Sequence, residues 1–354
     1  MRSGLFAAAR DHSARTQQVA ETQARPAAVP PELTVAITGM KRPLVIGHVV
    51  PDTDCLGSML AVARNRPGGD GRVCLPAGSV SQRLQFLVDW AAVDVVGSEG
   101  LADADGFIVV DAATKERCNV GPGAPSAWSA GRTVVNIDHH QTNSRFGDVN
   151  WVAPEASSTA ELVYRVLEAA GRPVDAVTAS LLYAGIHADT RGFTLFPDKG
   201  AALAVAAELV DAGARVAEIG ERLYRNKRIS EFRLLRVIYA NTHLAADGRI
   251  AYSTADHDEI AGCDCGPADI DEQVDVPRSL NGIGMAILFT EGIRGKIRIN
   301  LRGEAGISVL ALAEELGGGG HDQAAGVVLE GSIRQAVDRV LPLAEEHLRR
   351  QEPA

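Results

Sequence analysis

Five short segments carry acidic or histidine side chains at spacings that suit one metal site. They are His48-Val-Val-Pro-Asp52-Thr-Asp54, Asp111 closing the run Phe107-Ile-Val-Val-Asp111, Asp138-His139-His140, His187-Ala-Asp189-Thr190, and Gly317-Gly-Gly-Gly-His321. The first three follow strongly apolar runs: Leu44 to Gly47, Phe107 to Val110, and Thr133 to Ile137. In an open α/β sheet, ligands bind at the carboxyl ends of the strands, so carboxylates carried there by separate strands converge. Oxygen donors mixed with imidazole, and no thiolate, suit a hard or borderline divalent ion such as manganese or magnesium. Several carboxylates together fit a two-metal hydrolase, in which one of them bridges cations roughly 3.5–4 Å apart.

The elements that must position these residues follow from periodicity. Leu44–Val50, Arg72–Leu75, Phe107–Val110 and Thr133–Asp138 read as strands, and Leu56–Arg66 and Ser81–Ala92 as helices between them. Such alternation predicts a parallel, doubly wound sheet in an α/β fold. After Trp151 the pattern turns helical. Ser157-Ser-Thr-Ala-Glu161 is a capping-type helix start, and Asp175–Ile186, Lys199–Ala212 and Val216–Arg225 follow. A connecting helix is predicted over residues 226–242. A smaller α/β domain over residues 243–350 comes next, with strands Arg249–Ser253, Gly284–Phe289, Lys296–Leu301 and Val327–Leu329 and helices Val309–Leu316 and Ile333–Arg349. Residues 1–33, rich in Ala, Arg, Gln and Pro, read as an extension, disordered or loosely packed. The catalytic domain then spans residues 34–225.

Each motif has a plainer explanation. Asp52 and Asp54 follow Pro51 and are well placed to cap the helix that starts near Leu56. Asp111 is a turn residue after a strand, and Asp189 a helix C-terminal turn. Four glycines before His321 exceed what one helix C-cap requires. Such a run exposes backbone N–H groups that can cradle a phosphate or carboxylate. Alone, each segment reads as turn chemistry; as an ordered series they read as a site.

That series resembles the DHH phosphoesterase superfamily. His48-x-x-x-Asp52-x-Asp54, Asp111, Asp138-His139-His140 and Asp189 match its N-terminal motifs. Gly317-Gly-Gly-Gly-His321-Asp-Gln-Ala-Ala-Gly326 matches the signature of the DHH-associated C-terminal domain. The resemblance is greatest to the branch of bacterial nano-RNases and pAp phosphatases, and runs from about Lys41 to about Arg349. It implies hydrolysis of very short oligonucleotides or of 3′-phosphoadenosine 5′-phosphate in a cleft between two lobes. Two manganese ions, with magnesium as the alternative, would serve the reaction. By the same resemblance His48, Asp52 and Asp111 hold one ion, and Asp54, Asp111, His139 and Asp189 the other. Asp138 would orient a histidine, and His140 would contact the phosphate with a role in proton transfer. Arg302, His321 and the backbone of Gly318, Gly319 and Gly320 would bind substrate. Arg191 stands where the family often has glycine, an extra cation toward phosphate or a solvated one. His187 reads as structural or as an orienting group, and Lys296 and Arg298 as an exposed strand face. The resemblance also implies a homodimer.

Three alternatives stay open. Pro51-Asp-Thr-Asp54 is closer to family II inorganic pyrophosphatases, whose C-terminal signature is not found here. Related stand-alone proteins act on cyclic or linear dinucleotides. A non-catalytic nucleotide-binding protein would need a degraded metal site, and every expected ligand is present.

Composition bounds the rest. The chain has 354 residues and a net charge of −10, with 46% hydrophobic and 23% charged residues. That is a soluble globular composition. An acidic chain disfavours a long duplex partner, which calls for a basic stripe. No apolar run is long enough for a membrane span. The five cysteines are odd in number and scattered, and Cys263-Asp-Cys265 is too tight for zinc. Reduced thiols in the cytoplasm are the expectation.

Overall fold

The computed structural model describes residues 28–66, 70–121, 124, 128–195, 199–226, 228–266, 270–304 and 306–351. It divides into two compact units, Met1–Arg225 and Asn226–Ala354. The extension expected over residues 1–33 falls, up to residue 27, outside the described residues. Its last part does not: helix α1 (Pro31–Gly39) starts at Pro31, directly after Pro30, and Leu33 is fully buried. Pro31 suits a first helical position because the N–H it lacks has no partner there.

The first unit holds a six-stranded parallel sheet, β1 (Leu44–Ile46), β2 (Arg72–Cys74), β3 (Asp94–Val96), β4 (Gly106–Val110), β5 (Thr133–Asp138) and β6 (Val149–Val152), in the order β3-β2-β1-β4-β5-β6. Its helices are α2 (Thr53–Arg64), α3 (Gln85–Ala91), α4 (Gly100–Asp103), α5 (Thr159–Ala169), α6 (Ala176–Asp189), α7 (Lys199–Asp211) and α8 (Val216–Tyr224). The central strands are apolar on both faces, as a sheet covered on both sides requires. Val45, Ile108, Val135 and Ile137 pack with Leu56, Met59 and Leu60 of α2 and Leu162 and Leu181 of α5 and α6. Leu44, Ile46, Phe107 and Val109 face the other way, toward Leu101 and Trp128. The strand order reverses between β1 and β4, the switch point at which an open α/β sheet leaves a crevice beyond its carboxyl ends. Helix α2, buried from Thr53 to Ala63, lies tight against α6. A Cβ on Gly57 would lie 2.5 Å from the Leu181 carbonyl oxygen, so only glycine allows this approach.

The second unit is a mixed sheet, β7 (Thr242–Ala245), β8 (Ile250–Ala255), β9 (Met285–Ile293), β10 (Lys296–Gly303), β11 (Gly319–His321) and β12 (Ala324–Glu330), ordered β11-β12-β10-β9-β8-β7. Only β8 and β9 pair in parallel. Its helices are α9 (Ile229–Ala240), α10 (His257–Gly262), α11 (Asp275–Arg278), α12 (Leu310–Glu315) and α13 (Ile333–Gln351). Ile287, Phe289, Ile297, Ile299 and Leu301 pack under α12 and α13. Leu288 and Ala255 pack on the other face with Leu234, Ile238, Ile260 and Val276. Thus α9, within the segment expected to connect the domains, buries its own apolar stripe in the second unit. Among the described residues no helix is long and apolar enough to cross a membrane.

Candidate metal centre

The chain leaves β1 at Ile46, earlier than the strand expected through Val50. Val50 takes a left-handed backbone, φ 56°, which is costly for a β-branched residue. This turn sets His48 inward. Its Nδ1 lies 2.8 Å from the Val49 carbonyl, which can only accept, so Nδ1 carries a proton and Nε2 is left to face Asp52 and Asp111. Asp52 caps α2 by accepting from the Cys55 N–H at 3.0 Å. Its side chain is 62% exposed, and Oδ2 stands 3.8 Å from His48 Nε2.

Asp54 points away from its own helix. Its carboxylate accepts from the N–H groups of Thr159 at 2.7 Å and Ala160 at 2.8 Å, and so holds the N-terminus of α5. Asp111 lies directly beyond β4 with φ 55°, its N–H donated to the Ile137 carbonyl of β5. The Thr159 hydroxyl donates to its Oδ1 at 2.9 Å. That oxygen lies 3.7 Å from His139 Nε2, while Oδ2 lies 3.6 Å from His48 Nε2. Oδ1 also lies 3.6 Å from His140 Nδ1, so one buried carboxylate faces His48 with one oxygen and His139 and His140 with the other.

Strand β5 delivers Asp138 and the two histidines. The rings of His139 and His140 stand 70° apart. Asp138 Oδ1 accepts from the His139 N–H at 2.9 Å and from His140 Nδ1 at 2.7 Å, and Oδ2 accepts from Asn143 Nδ2 at 2.5 Å. Burial works against charge on both partners, but their mutual hydrogen bond and attraction outweigh it. His140 is held up to about 9 and Asp138 down to about 2. Nδ1 is the ring nitrogen that meets Asp138.

Asp189 is the last residue of α6, and Arg191 follows in a left-handed turn, φ 48°. Asp189 Oδ2 is 3.3 Å from His139 Nε2, and this buried atom receives no hydrogen bond. Burial and the neighbouring carboxylates, against the pull of His139, raise Asp189 to about 7. Burial first, then the charges of Asp111, Asp189 and Asp52, push Asp54 well above the usual carboxylate range. Crowded acids with an orphaned oxygen cost free energy unless a cation joins them. Within the first unit, three groups of described residues bring possible ligating atoms within 4.8 Å of one another: His48, Cys55 and Asp111; Asp54, His139 and Asp189; Asp111, Asp138 and His140. The residues present fit divalent metal ions. Asp52 belongs to none of these groups, and Cys55, absent from the sequence-derived set, belongs to one.

His187 turns from the carboxylates into an aromatic nest. It stacks on Tyr183 with ring centres 5.7 Å apart, and its Nδ1 is 3.0 Å from the Tyr224 hydroxyl.

In the second unit, register places Arg302 opposite Ala324 and His321 opposite Ala324 on its other side. Arg298, Asn300 and Arg302 alternate with Ile297, Ile299 and Leu301, so they share the sheet face turned from the main apolar core. The glycine run expected as a loop is partly strand, since Gly319–His321 pairs with β12. A Cβ on Gly318 would sit 2.2 Å from the Gly326 oxygen, and one on Gly320 2.4 Å from the Ala324 oxygen. A Cβ on Gly319 would meet nothing within 4 Å. Two of the glycines are thus required by close strand approach.

Thr159, Asn143 and Cys55 join the site without having been singled out from sequence. Asn143, five residues beyond Asp138, offered the one local signal.

The candidate ligands stand at the carboxyl ends of β1, β4 and β5, around the switch point of a parallel sheet, and an α/β unit follows. A family model described as "DHH family, N-terminal domain" matches residues 42–186, and a DHHA1 domain model matches residues 248–350. The chain belongs to the DHH family, and it is a hydrolase of phosphoester bonds. A Thermus thermophilus protein named bifunctional oligoribonuclease and PAP phosphatase NrnA is 32% identical over 86% of this chain and 89% of its own length. Its namesake in Bacillus subtilis is 29% identical over 85% and 94%. The crystal structure of an exopolyphosphatase-related protein from Bacteroides fragilis shares the fold, with a TM-score of 0.79 at 23% identity, covering 90% of this chain and 96% of that one.

Proposed function

We propose that this protein hydrolyses short oligonucleotides and 3′-phosphoadenosine 5′-phosphate at a centre of two manganese ions. The carrying observation is Asp111, whose two oxygens face His48 and His139. That placement supports a carboxylate shared by two cations. The substrate class rests on the relatives named oligoribonuclease and PAP phosphatase. His48, Asp52 and Asp111 hold one ion, and Asp54, Asp111, His139 and Asp189 the other. Magnesium is the alternative for the same oxygen and imidazole donors. The ions supply an activated water and neutralise the phosphoryl oxygens.

The side chains do the remaining work. Asp138 and Asn143 hold His140 in place. His140 donates to a phosphoryl oxygen and gives its proton to the leaving oxygen. Arg302, His321 and the backbone of Gly318, Gly319 and Gly320 grip the far phosphate or base, and Arg191 adds a cation near Asp189. The five cysteines are free thiols, which supports a reducing, cytoplasmic setting.

The test is a manganese-supplemented assay of pAp, di- to pentanucleotides, cyclic di-AMP and pyrophosphate side by side. Turnover should be highest on pAp and the shortest linear oligonucleotides. Turnover confined to cyclic di-AMP or pyrophosphate would overturn the substrate assignment.

A further inference from the structure

No cysteine belongs to the five ligating segments of the sequence, yet the fold brings one to the metal site. Cys55 lies one residue beyond Asp54, in the first turn of α2, and is fully buried. Its Sγ, a ring nitrogen of His48 and a carboxylate oxygen of Asp111 lie within 4.8 Å of one another. Three features hold the sulfur there. The His48 N–H donates to Sγ at 3.3 Å. Gly47 leaves the space, since a Cβ at that position would lie 2.2 Å from Sγ. Met59 closes the far side, with Sδ at 4.0 Å. No disulfide engages the sulfur.

His48 completes the argument. Its Nδ1–H is taken by the Val49 carbonyl, and Nε2 stands 3.6 Å from Asp111 Oδ2 and 3.8 Å from Asp52 Oδ2, beyond hydrogen-bond reach. A buried imidazole nitrogen, a buried thiol and a buried carboxylate meeting at one place form a nitrogen, sulfur and oxygen donor set. Thiolate and imidazole ligands favour zinc, iron and cobalt, whereas carboxylate-rich sets suit manganese and magnesium. The group of Asp54, His139 and Asp189 and that of Asp111, Asp138 and His140 contain no sulfur.

We propose that Cys55 is a sulfur ligand of the ion on the His48 side, and that it makes this position selective for a thiophilic transition ion. The two metal positions of the centre then differ in chemistry. The proposal rests on the metal-centre reading given above. As the metal–sulfur bond forms, the thiol proton leaves to solvent, so each ion taken up there releases one proton. Zinc displaces manganese from the His48 side before the Asp54 side.

Cobalt titration of the metal-free full-length chain tests this without recourse to activity. Visible d–d bands report any bound cobalt, and a near-ultraviolet thiolate-to-cobalt band reports sulfur ligation. The native chain should show both. Cys55→Ser and Cys55→Ala, checked for folding by circular dichroism, should keep the visible bands and lose the near-ultraviolet one. Zinc affinity should fall in both variants by at least the roughly 10–100-fold typical of losing a group that merely supports a ligand, and manganese affinity should stay near native. Visible bands without the sulfur band in the native chain would overturn the proposal and leave the metal centre standing. So would a sulfur band that survives in either folded variant. Absence of visible bands in the native chain would instead sink the metal centre, and the sulfur ligand with it.

Discussion

Asp111 turns its two carboxylate oxygens toward opposite sides of the site, Oδ2 to His48 at 3.6 Å and Oδ1 to His139 at 3.7 Å and His140 at 3.6 Å. The arrangement is fixed from three sides. The left-handed backbone at Asp111, its N–H bonded to the Ile137 carbonyl, and the Thr159 hydroxyl on Oδ1 leave it little freedom. A ligand shared by two ions should matter more than a ligand of one. Asp111→Asn should lower turnover about 1,000-fold, because bound metals supply several kcal/mol of charge stabilisation and each 1.4 kcal/mol is tenfold in rate. His48→Ala should cost less under the same limiting manganese. Wild-type turnover by Asp111→Asn would sink the two-metal assignment.

His140 differs from its neighbour in what it touches. Its Nδ1 is bonded to Asp138 at 2.7 Å and stands 3.6 Å from Asp111, whereas His139 points Nε2 between Asp111 and Asp189. His140→Ala should therefore lower kcat by about 100-fold or more, the scale of a lost general acid, with metal content near wild type by elemental analysis. Loss of metal together with activity would make His140 a ligand and overturn the division of roles.

The two lobes should divide labour between chemistry and grip. Arg302→Ala should reduce kcat/KM for dinucleotides and pAp about 10–100-fold, the worth of a charge-assisted hydrogen bond. It should barely affect bis-p-nitrophenyl phosphate, which has no distal group to hold. Arg302→Lys should rescue only in part, because lysine lacks the planar fork. Equal fractional loss on both substrates would make Arg302 a structural residue.

How far the sequence reached follows from what each residue depends on. β1 and β4 are apolar runs and β5 is largely so, so their existence was legible, as was the placing of acidic and histidine residues at their carboxyl ends. β3 was not, because Asp94 and Val95 are exposed at a sheet edge and carry no apolar period. The Val50 turn was hidden because a β-branched residue argues for strand. β11 was hidden because glycines have no strand preference, and only pairing with Ala324–Gly326 makes them one. Cys55 and Thr159 enter the site through contacts that no local spacing encodes. Thr159 reaches Asp111 across 48 residues.

One prediction concerns stability alone. Asp175 caps α6 through the Thr178 N–H at 2.8 Å and pairs with Arg64 at 2.7 Å. The Arg64 hydrogen bond, with the Thr178 bonds and the Arg64 charge and against a smaller opposing effect of burial, holds its carboxyl well below the usual range. A depressed carboxyl stabilises the fold above its unfolded pKa, near 3.9, and this contribution fades as pH falls below that value toward the folded one. Asp175→Ala should cost about 1 kcal/mol, the usual worth of a cap, and should flatten the acid limb of stability below about pH 4. Urea titrations of both proteins at pH 7 and in acid would check this. An unchanged acid limb would show that the pair contributes nothing.

The central claim is that one carboxylate couples two ions, and electron paramagnetic resonance of the manganese-loaded protein reads that directly. Two ions sharing Asp111 at roughly 3.5–4 Å should give an exchange-coupled spectrum. Asp111→Asn should convert it to the six-line signal of isolated manganese. A native protein that binds a single ion, or two that show only isolated signals, would contradict the account.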